Sequence, residues 1–395
     1  MFSNRLPRDL AANRLTGAVE RMRGAGRPFV DLTESNPTRA GFAYPPDLLA
    51  SLSDPRALEY CPAPLGAVAA RRAVSADYRR QGLDVPPERV VLTASTSDAY
   101  SLLFKLLADA GDEVLVPRPS YPLFDHLTRL DLVAARSYEL EYHGRWAIDF
   151  DSLQRALSPR TRAVLVVSPN NPTGSFIATG ELERLAAICE ERHIAIIADE
   201  VFAEYRLEPD VAAADGRAAC VQHALAFGLG GLSKSAGLPQ VKLGWIAVAG
   251  PERLVNDGLK RLELICDTYL SVSTPVQVAA AELLTRGAGI RSQIADRVRA
   301  NYRVLKGDVA LVPSCRVLGA DGGWYAVVQV PSFESEEDLV LRLLTECGVL
   351  VHPGYFFDFA SESFLVVSLL SPEAAFRDGA ARLLGHFTGD SPGFH

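Results

Sequence analysis

The sequence predicts an α/β fold: a large domain built on a mostly parallel sheet between helices, with a smaller α+β domain beside it. Three observations predict this. Short, wholly apolar runs of strand length alternate with helical stretches through the middle of the chain, as in parallel sheets covered on both faces. After about Pro275 the alternation stops, and a long helical stretch leads into scattered short strands. The chain has 395 residues, of which 48% are hydrophobic, enough for one large domain and a second, smaller one.

The elements follow in order. The segment up to about Pro45 contains one isolated strand-like stretch, FVDLTESNP. It is too short to stand alone, so residues 1–45 are assigned with residues 276–395 to the small domain, and residues 46–275 to the large one. The first apolar run is RVVLTAS (Arg89 to Ser95), followed by the helical DAYSLLFKLLAD. Next come DEVLVPRPSY, then TRAVLVVSPNNPTG before the helical ELERLAAICEERH, then IAIIADEVF. A loop bearing a lysine among serines and glycines, GLGGLSKSAGLPQVKLGW (Gly228 to Trp245), runs into LGWIAVAG. Beyond it, TPVQVAAAELLTRGAGIRSQIADRVRANYRVLKGDVA reads as one long helical stretch leading into GGWYAVVQVP. A helix over Glu336 to Cys347, the stretch GVLVHPGYFF, a strand in SFLVVSLL and a closing helix complete the small domain.

Composition excludes several roles. A net charge of -8 gives no footprint for nucleic acid or an anionic membrane surface. The six cysteines have no C-x-x-C spacing and no histidine at ligand spacing. They read as buried small hydrophobes of a reducing compartment, not as disulfides or a zinc site. No signal-peptide run and no membrane-spanning run is present. The expectation is a cytoplasmic protein without metal.

Open parallel sheets place ligands beyond the carboxyl ends of their strands, so the residues after each run are the informative ones. Ser95, Thr96 and Ser97 open a helix, where hydroxyls and free N–H groups receive a phosphate; plain N-capping is the alternative. Tyr121, between a serine and a proline, offers a ring on which a flat cofactor can stack, or simply packs in the core. Asn171, in SPNNPTG, is a carboxamide at a strand end that can donate to a phenolate-like oxygen, or a turn residue. Asp199 ends a run that is apolar throughout, and a carboxylate there is costly unless something cationic meets it. Lys234 is an amine in a partly dry site, a nucleophile that forms a Schiff base with a carbonyl. One ligand satisfies all five: pyridoxal 5′-phosphate. Its phosphate goes to Ser95, Thr96 and Ser97, its ring under Tyr121, its 3-oxygen to Asn171, its pyridinium nitrogen to Asp199 and its aldehyde to Lys234. The carboxylate keeps the ring cationic, so that it can act as an electron sink.

These pieces, with YCPAPLG, NNPTG, ADEVF and GLSKSAGLPQVKLGW in this order, resemble the class I/II aminotransferases, the fold-type I pyridoxal-phosphate enzymes. The resemblance covers nearly the whole chain. It implies a seven-stranded, mostly parallel large-domain sheet, with Lys234 as the cofactor-bound lysine and Asp199 as the pyridinium partner. It adds Ser233 and Lys242 to the phosphate site, and Tyr60 reaching the phosphate of a neighbouring subunit in a homodimer with shared active sites. Ser35 and Asn36 lie where the family runs its N-terminal segment past the substrate, and Asn171 also faces that space.

Three positions depart from the family pattern. Phe202 stands where a tyrosine usually donates to the 3-oxygen. Lys242 stands where an arginine usually forks onto the phosphate, so charge is kept but the bidentate geometry is lost. Val366 stands where an arginine usually clamps the substrate carboxylate. Arg39, Arg118, Arg206 and Arg377 are candidates to replace it; otherwise the substrate has no carboxylate at that place. His352 and the aromatic stretch Gly354 to Phe359 either border the substrate or belong to the packing.

The expected function is transamination between an amino acid or amine and a 2-oxo acid through a Lys234 Schiff base. A lyase of the β-elimination type on the same scaffold is the alternative, since fold and cofactor do not separate the two. A non-catalytic regulator is the third reading, but no basic helix-turn-helix segment precedes the domain.

Overall fold

The computed structural model describes residues 2–7, 10–208 and 215–388. The strands are β1 (Val30–Asp31), β2 (Val90–Thr93), β3 (Glu113–Arg118), β4 (Ala134–Tyr142), β5 (Trp146–Ile148), β6 (Thr161–Val167) and β7 (Ala195–Asp199). They continue as β8 (Ala226–Gly231), β9 (Gly244–Ala249), β10 (Arg316–Val317), β11 (Tyr325–Gln329), β12 (Val349–Leu350), β13 (His352–Pro353) and β14 (Phe364–Ser368).

The large sheet has the order β2-β9-β8-β7-β6-β3-β4-β5. From β8 through β4 all neighbours are parallel. β9 runs against both β2 and β8, so β2 points the same way as the parallel core. The sheet carries eight strands, one more than the seven expected. The extra one, β5, is a three-residue antiparallel edge strand folded back on β4 through Gly144.

The apolar runs are explained by burial on both faces. In β6, Ala163, Leu165 and Val167 pack into one core layer, while Val164 and Val166 pack into the opposite one. In β7, Ala195 and Ile197 take the first layer, Ile196 and Ala198 the second. A strand with alternate side chains in two dry layers has no place for a polar residue until it ends.

A second sheet, β10-β11-β14-β13, is antiparallel. β1 pairs in parallel with β12, and Ser368 N donates to Leu32 O at 2.7 Å, so the N-terminal segment lies along the C-terminal part. The stretch read as one long helix is two, Thr274–Arg286 and Ala288–Val309, broken at Gly287. A Cβ at Gly287 would stand 2.4 Å from the Cβ of Ala236, so only glycine lets this junction press against the lysine loop. The helix expected to Cys347 ends at Thr345.

Gly230, opposite Trp245 in the β8–β9 pair, tests the tightness of the sheet under the lysine loop. A Cβ there would lie 2.3 Å from Trp245 Nε1, and the buried indole has no room to retreat. Gly230→Ala is expected to lose about 1–3 kcal/mol of stability, read as a fall in the urea midpoint. An unchanged midpoint would show that the indole repacks freely.

Candidate active site

Because β2, β3, β6, β7 and β8 point the same way, the residues after them converge on one edge of the sheet. The antiparallel β9 starts at that edge, which brings Lys242 and Gly244 to it as well. The five groups picked from strand ends are thus set side by side by topology.

Lys234 lies on the short helical turn Leu232–Ser235 directly after β8. Its Nζ sits 4.8 Å from the ring centroid of Trp324 and 5.4 Å from that of Phe202. The two rings meet edge to face at 5.1 Å. Burial pushes the amine's pKa down to about 8, against the opposing pull of Asp199.

Asp199 is the last residue of β7. Burial pushes its carboxyl up to about 6, while hydrogen bonds from Val201 N at 3.2 Å and the Tyr100 phenol at 3.0 Å act the other way, as does Lys234. It has no ion-pair partner among the described residues. Tyr100 was not picked out from the sequence. The available signal was its place one turn after Thr96, on the same helix face.

The two asparagines of the NNPTG turn divide the work. Asn170 pins the turn: its Nδ2 donates to Pro119 O at 3.1 Å and to Thr173 Oγ1 at 2.9 Å, and its Oδ1 accepts from Ser120 Oγ at 3.2 Å. Asn171 is buried, and its Oδ1 has no hydrogen-bond partner. Buried polar groups are normally satisfied, so the free carboxamide is the one that awaits a ligand.

Ser95 is the N-cap of helix Thr96–Leu107, and its hydroxyl accepts from Asp98 N at 3.1 Å. That hydroxyl performs the capping alternative. Thr96 and Ser97 supply the first helical N–H groups at the positive end of the dipole. Ser233 adjoins Lys234 on the same turn and is partly buried. Lys242 is exposed, in a left-handed backbone conformation with φ 61°. Tyr121 is 40% exposed, its ring edge-to-face with Phe124 at 6.1 Å. Burial and the charge of Asp199 raise its phenol pKa, which places it within electrostatic reach of that carboxylate. Phe202 is buried and offers no donor.

Tyr60 stands apart from this cluster, exposed on the loop after Pro55–Leu58. Ser35 is exposed and hydrogen-bonded to Tyr325, the residue after Trp324. The Oδ1 of Asn36 is committed to Thr38 N and Thr38 Oγ1 at 3.0 and 2.8 Å, capping the turn Pro37–Arg39.

Val366 is fully buried in β14, paired with Val327 on one side and His352 on the other. Of the arginines considered in its place, Arg118 donates to Asp358 O at 2.8 Å, and Arg206 pairs with Asp215 over the Phe176 ring. Arg39 and Arg377 are exposed. Asp199 is the charge that acts on the Lys234 amine. Burial holds His352 down to about 4, so it is neutral, and its ring lies 6.0 and 5.8 Å from Phe356 and Phe357. The aromatic stretch is mainly packing: Phe357 and Phe359 are buried, and Phe359 stacks on Phe364 at 4.6 Å. It also clasps the cleft, since Ser120 N donates to Phe357 O at 3.0 Å beside Tyr121.

Among known proteins, the glutamate-pyruvate aminotransferase AlaA of Escherichia coli is 28% identical over 264 residues, 66% of this chain. That match spans 64% of the Escherichia coli protein, just under two thirds of its length. The human tyrosine aminotransferase is 25% identical over 405 residues, covering 95% of this chain and 86% of that protein. An alanine aminotransferase structure from Pyrococcus furiosus superposes with a TM-score of 0.88 over 98% of this chain and 100% of the other. At 23% identity that likeness shows the fold alone. The model of the family described as aminotransferase class I and II matches residues 28–382, so the chain belongs to that family.

Proposed function

We propose that this chain is a pyridoxal-phosphate-dependent aminotransferase, moving an amino group between an amino acid or amine and a 2-oxo acid, with Lys234 as its reacting amine. The observation that carries the reading is Lys234 itself: an amine just past a strand end, against two aromatic rings, with its pKa lowered to about 8 and the Asp199 carboxylate acting on it. Family membership and the aminotransferase names of the relatives support it, and members of the family use pyridoxal phosphate.

The residues present fit that cofactor. Asp199 is a half-buried carboxylate with no ion pair among the described residues, suited to a protonated ring nitrogen. Asn171 has a buried carboxamide whose Oδ1 has no hydrogen-bond partner, and its amide nitrogen is the group that would donate to a ring oxygen. Thr96, Ser97, Ser233 and Lys242 bring N–H groups, hydroxyls and a positive charge for a phosphate, with Ser95 fixing the helix start. Tyr121 would cover the ring face. Ser35, Asn36 and Asn171 would border the substrate. Tyr60, exposed here, would serve the phosphate of a second copy in a cytoplasmic homodimer. The large part of each subunit would run over 46–275, with 1–45 and 276–395 forming the small one.

When bound, the cofactor supplies an electron sink for the substrate carbon next to nitrogen. Asp199 would hold a proton at the ring nitrogen. Lys234 Nζ would hold the cofactor and, once released as a neutral amine, would take up and give back a proton. Its lowered pKa keeps a useful neutral fraction near pH 8. Phe202 and Trp324 exclude water from the amine.

Lys234→Ala is expected to abolish transfer of the amino group to a 2-oxo acid, and Asp199→Asn to slow it about 10²- to 10⁴-fold, measured as oxo-acid product from a panel of amino donors. Near-parental turnover by K234A would refute the reading. Stability should move the other way for D199N. An acid whose pKa is raised on folding, from 3.8 to about 6, binds its proton more tightly in the folded state. The carboxylate therefore costs the cofactor-free protein stability that is lost as pH rises through that window. Above pH 6, cofactor-free D199N is expected to be at least as stable as the parent. A clear loss of thermal midpoint at pH 7.5 would contradict it.

Phe202 gives a further test. A tyrosine at this place would donate to the cofactor oxygen and favour the deprotonated lysine-bound form. Phe202→Tyr is expected to lower the midpoint of the cofactor's absorbance titration. An unchanged midpoint would remove Phe202 from the site.

A further inference from the structure

A helical turn as short as Leu232–Ser235 does not hold itself. The first turn of a helix is its costly step, and the last carbonyls of a helix have no intrahelical donor. Here Gly237 N reaches Lys234 O at only 3.3 Å, and side chains from outside add to the hold. The Tyr205 phenol donates to Lys234 O. Arg291, on helix Ala288–Val309, donates from Nη1 to Ser235 O at 3.1 Å. Just past the turn, the Tyr44 phenol donates to Gly237 O at 2.7 Å.

The two grips on the turn itself are anchored in turn. Arg291 pairs with Glu204 Oε2 at 3.3 Å, and the other oxygen of Glu204 accepts from Arg80 at 2.5 Å. Tyr205 is fully buried. Its ring meets Trp324 edge to face at 5.2 Å, and Trp324 is the ring that lies 4.8 Å from Lys234 Nζ. One side chain therefore fixes both the main chain of the lysine and the wall against which the amine rests.

We propose that Tyr205 and Arg291 are the positioning residues of Lys234: they grip the carbonyl side of its turn and so hold the amine against the rings of Phe202 and Trp324. The inference rests on the reading that Lys234 is the reacting amine. Neither residue touches the reacting atoms, and both act through the turn. A loosened turn lets the amine swing toward water. Burial is the first cause of the amine's low pKa, and Asp199 is the charge acting on it, with Arg291 and Glu204 on the carbonyl side of the turn. Rehydration then returns the amine toward the ordinary lysine value.

The test uses the cofactor-free full chain. The rate of acetylation by acetic anhydride is followed against pH at Lys234 by mass spectrometry, with exposed Lys260 as the internal reference. The parent is expected to label Lys234 with a midpoint near 8. Tyr205→Phe, which keeps the ring and removes the grip, is expected to raise that midpoint by about one unit, slowing labelling at pH 8 about five-fold. Lys260 should not move. Arg291→Gln is expected to shift the midpoint in the same direction, and it decides the matter if Y205F does not fold. A merely structural role would lower stability without moving the Lys234 midpoint relative to Lys260. A parent midpoint near 8 that neither variant changes overturns the proposal and leaves the function standing. A parent midpoint near that of Lys260 overturns the function reading itself.

Discussion

The structure turns on two half-buried groups, an amine and a carboxylate, set at one edge of the sheet. Asp199 ends β7 and Lys234 lies on the turn after its parallel neighbour β8, and burial drives each toward its neutral form, the amine down to about 8 and the carboxyl up to about 6. Neither is rescued by an ion pair among the described residues. Such groups are expensive to bury, and the sheet beneath them, dry on both faces, supplies the stability that tolerates them. The same arrangement that weakens the cofactor-free protein prepares an amine that can react and an anion that can hold a proton on a ligand. This is the usual exchange of stability for function at a site.

The site is closed from the C-terminal part of the chain. Trp324 stands directly before β11 of the second sheet, yet its ring walls the amine of a lysine in the first. Gly322 N and Asp321 N both donate to Gly174 O at 2.9 Å, and Gly323 N donates to Tyr205 O at 2.8 Å. The loop before β11 is thereby tied to the NNPTG turn and to the segment after Asp199. The ion pairs of Glu204 with Arg80 and Arg291 secure the far side of the lysine turn. The aromatic wall, the carboxamide turn and the lysine turn are one packed unit rather than separate loops.

Much of this was legible in the sequence because it is local. Wholly apolar five- to seven-residue runs read directly as strands buried on both faces, and a carboxylate ending one of them, Asp199, announced itself by its cost. The order of motifs then placed Lys234, Asn171 and Tyr121. What stayed hidden depends on contacts between distant residues. Tyr100 meets Asp199 across 99 positions, and Tyr205 meets Lys234 across 29. Trp324 carries no pattern beyond an aromatic after two glycines. The break at Gly287 looks like a tolerated glycine in a helix until Ala236 is found against it. Asn36 and Ser95 show the converse: residues chosen for a ligand whose side-chain oxygens also cap the chain.

The account stands most directly on one chemical fact, which lysine carries the cofactor. Borohydride reduction of the freshly purified protein, followed by peptide mapping, is expected to fix a phosphopyridoxyl group on Lys234 and to leave Lys242 unmodified. A label on any other lysine, or none at all, would contradict the central claim.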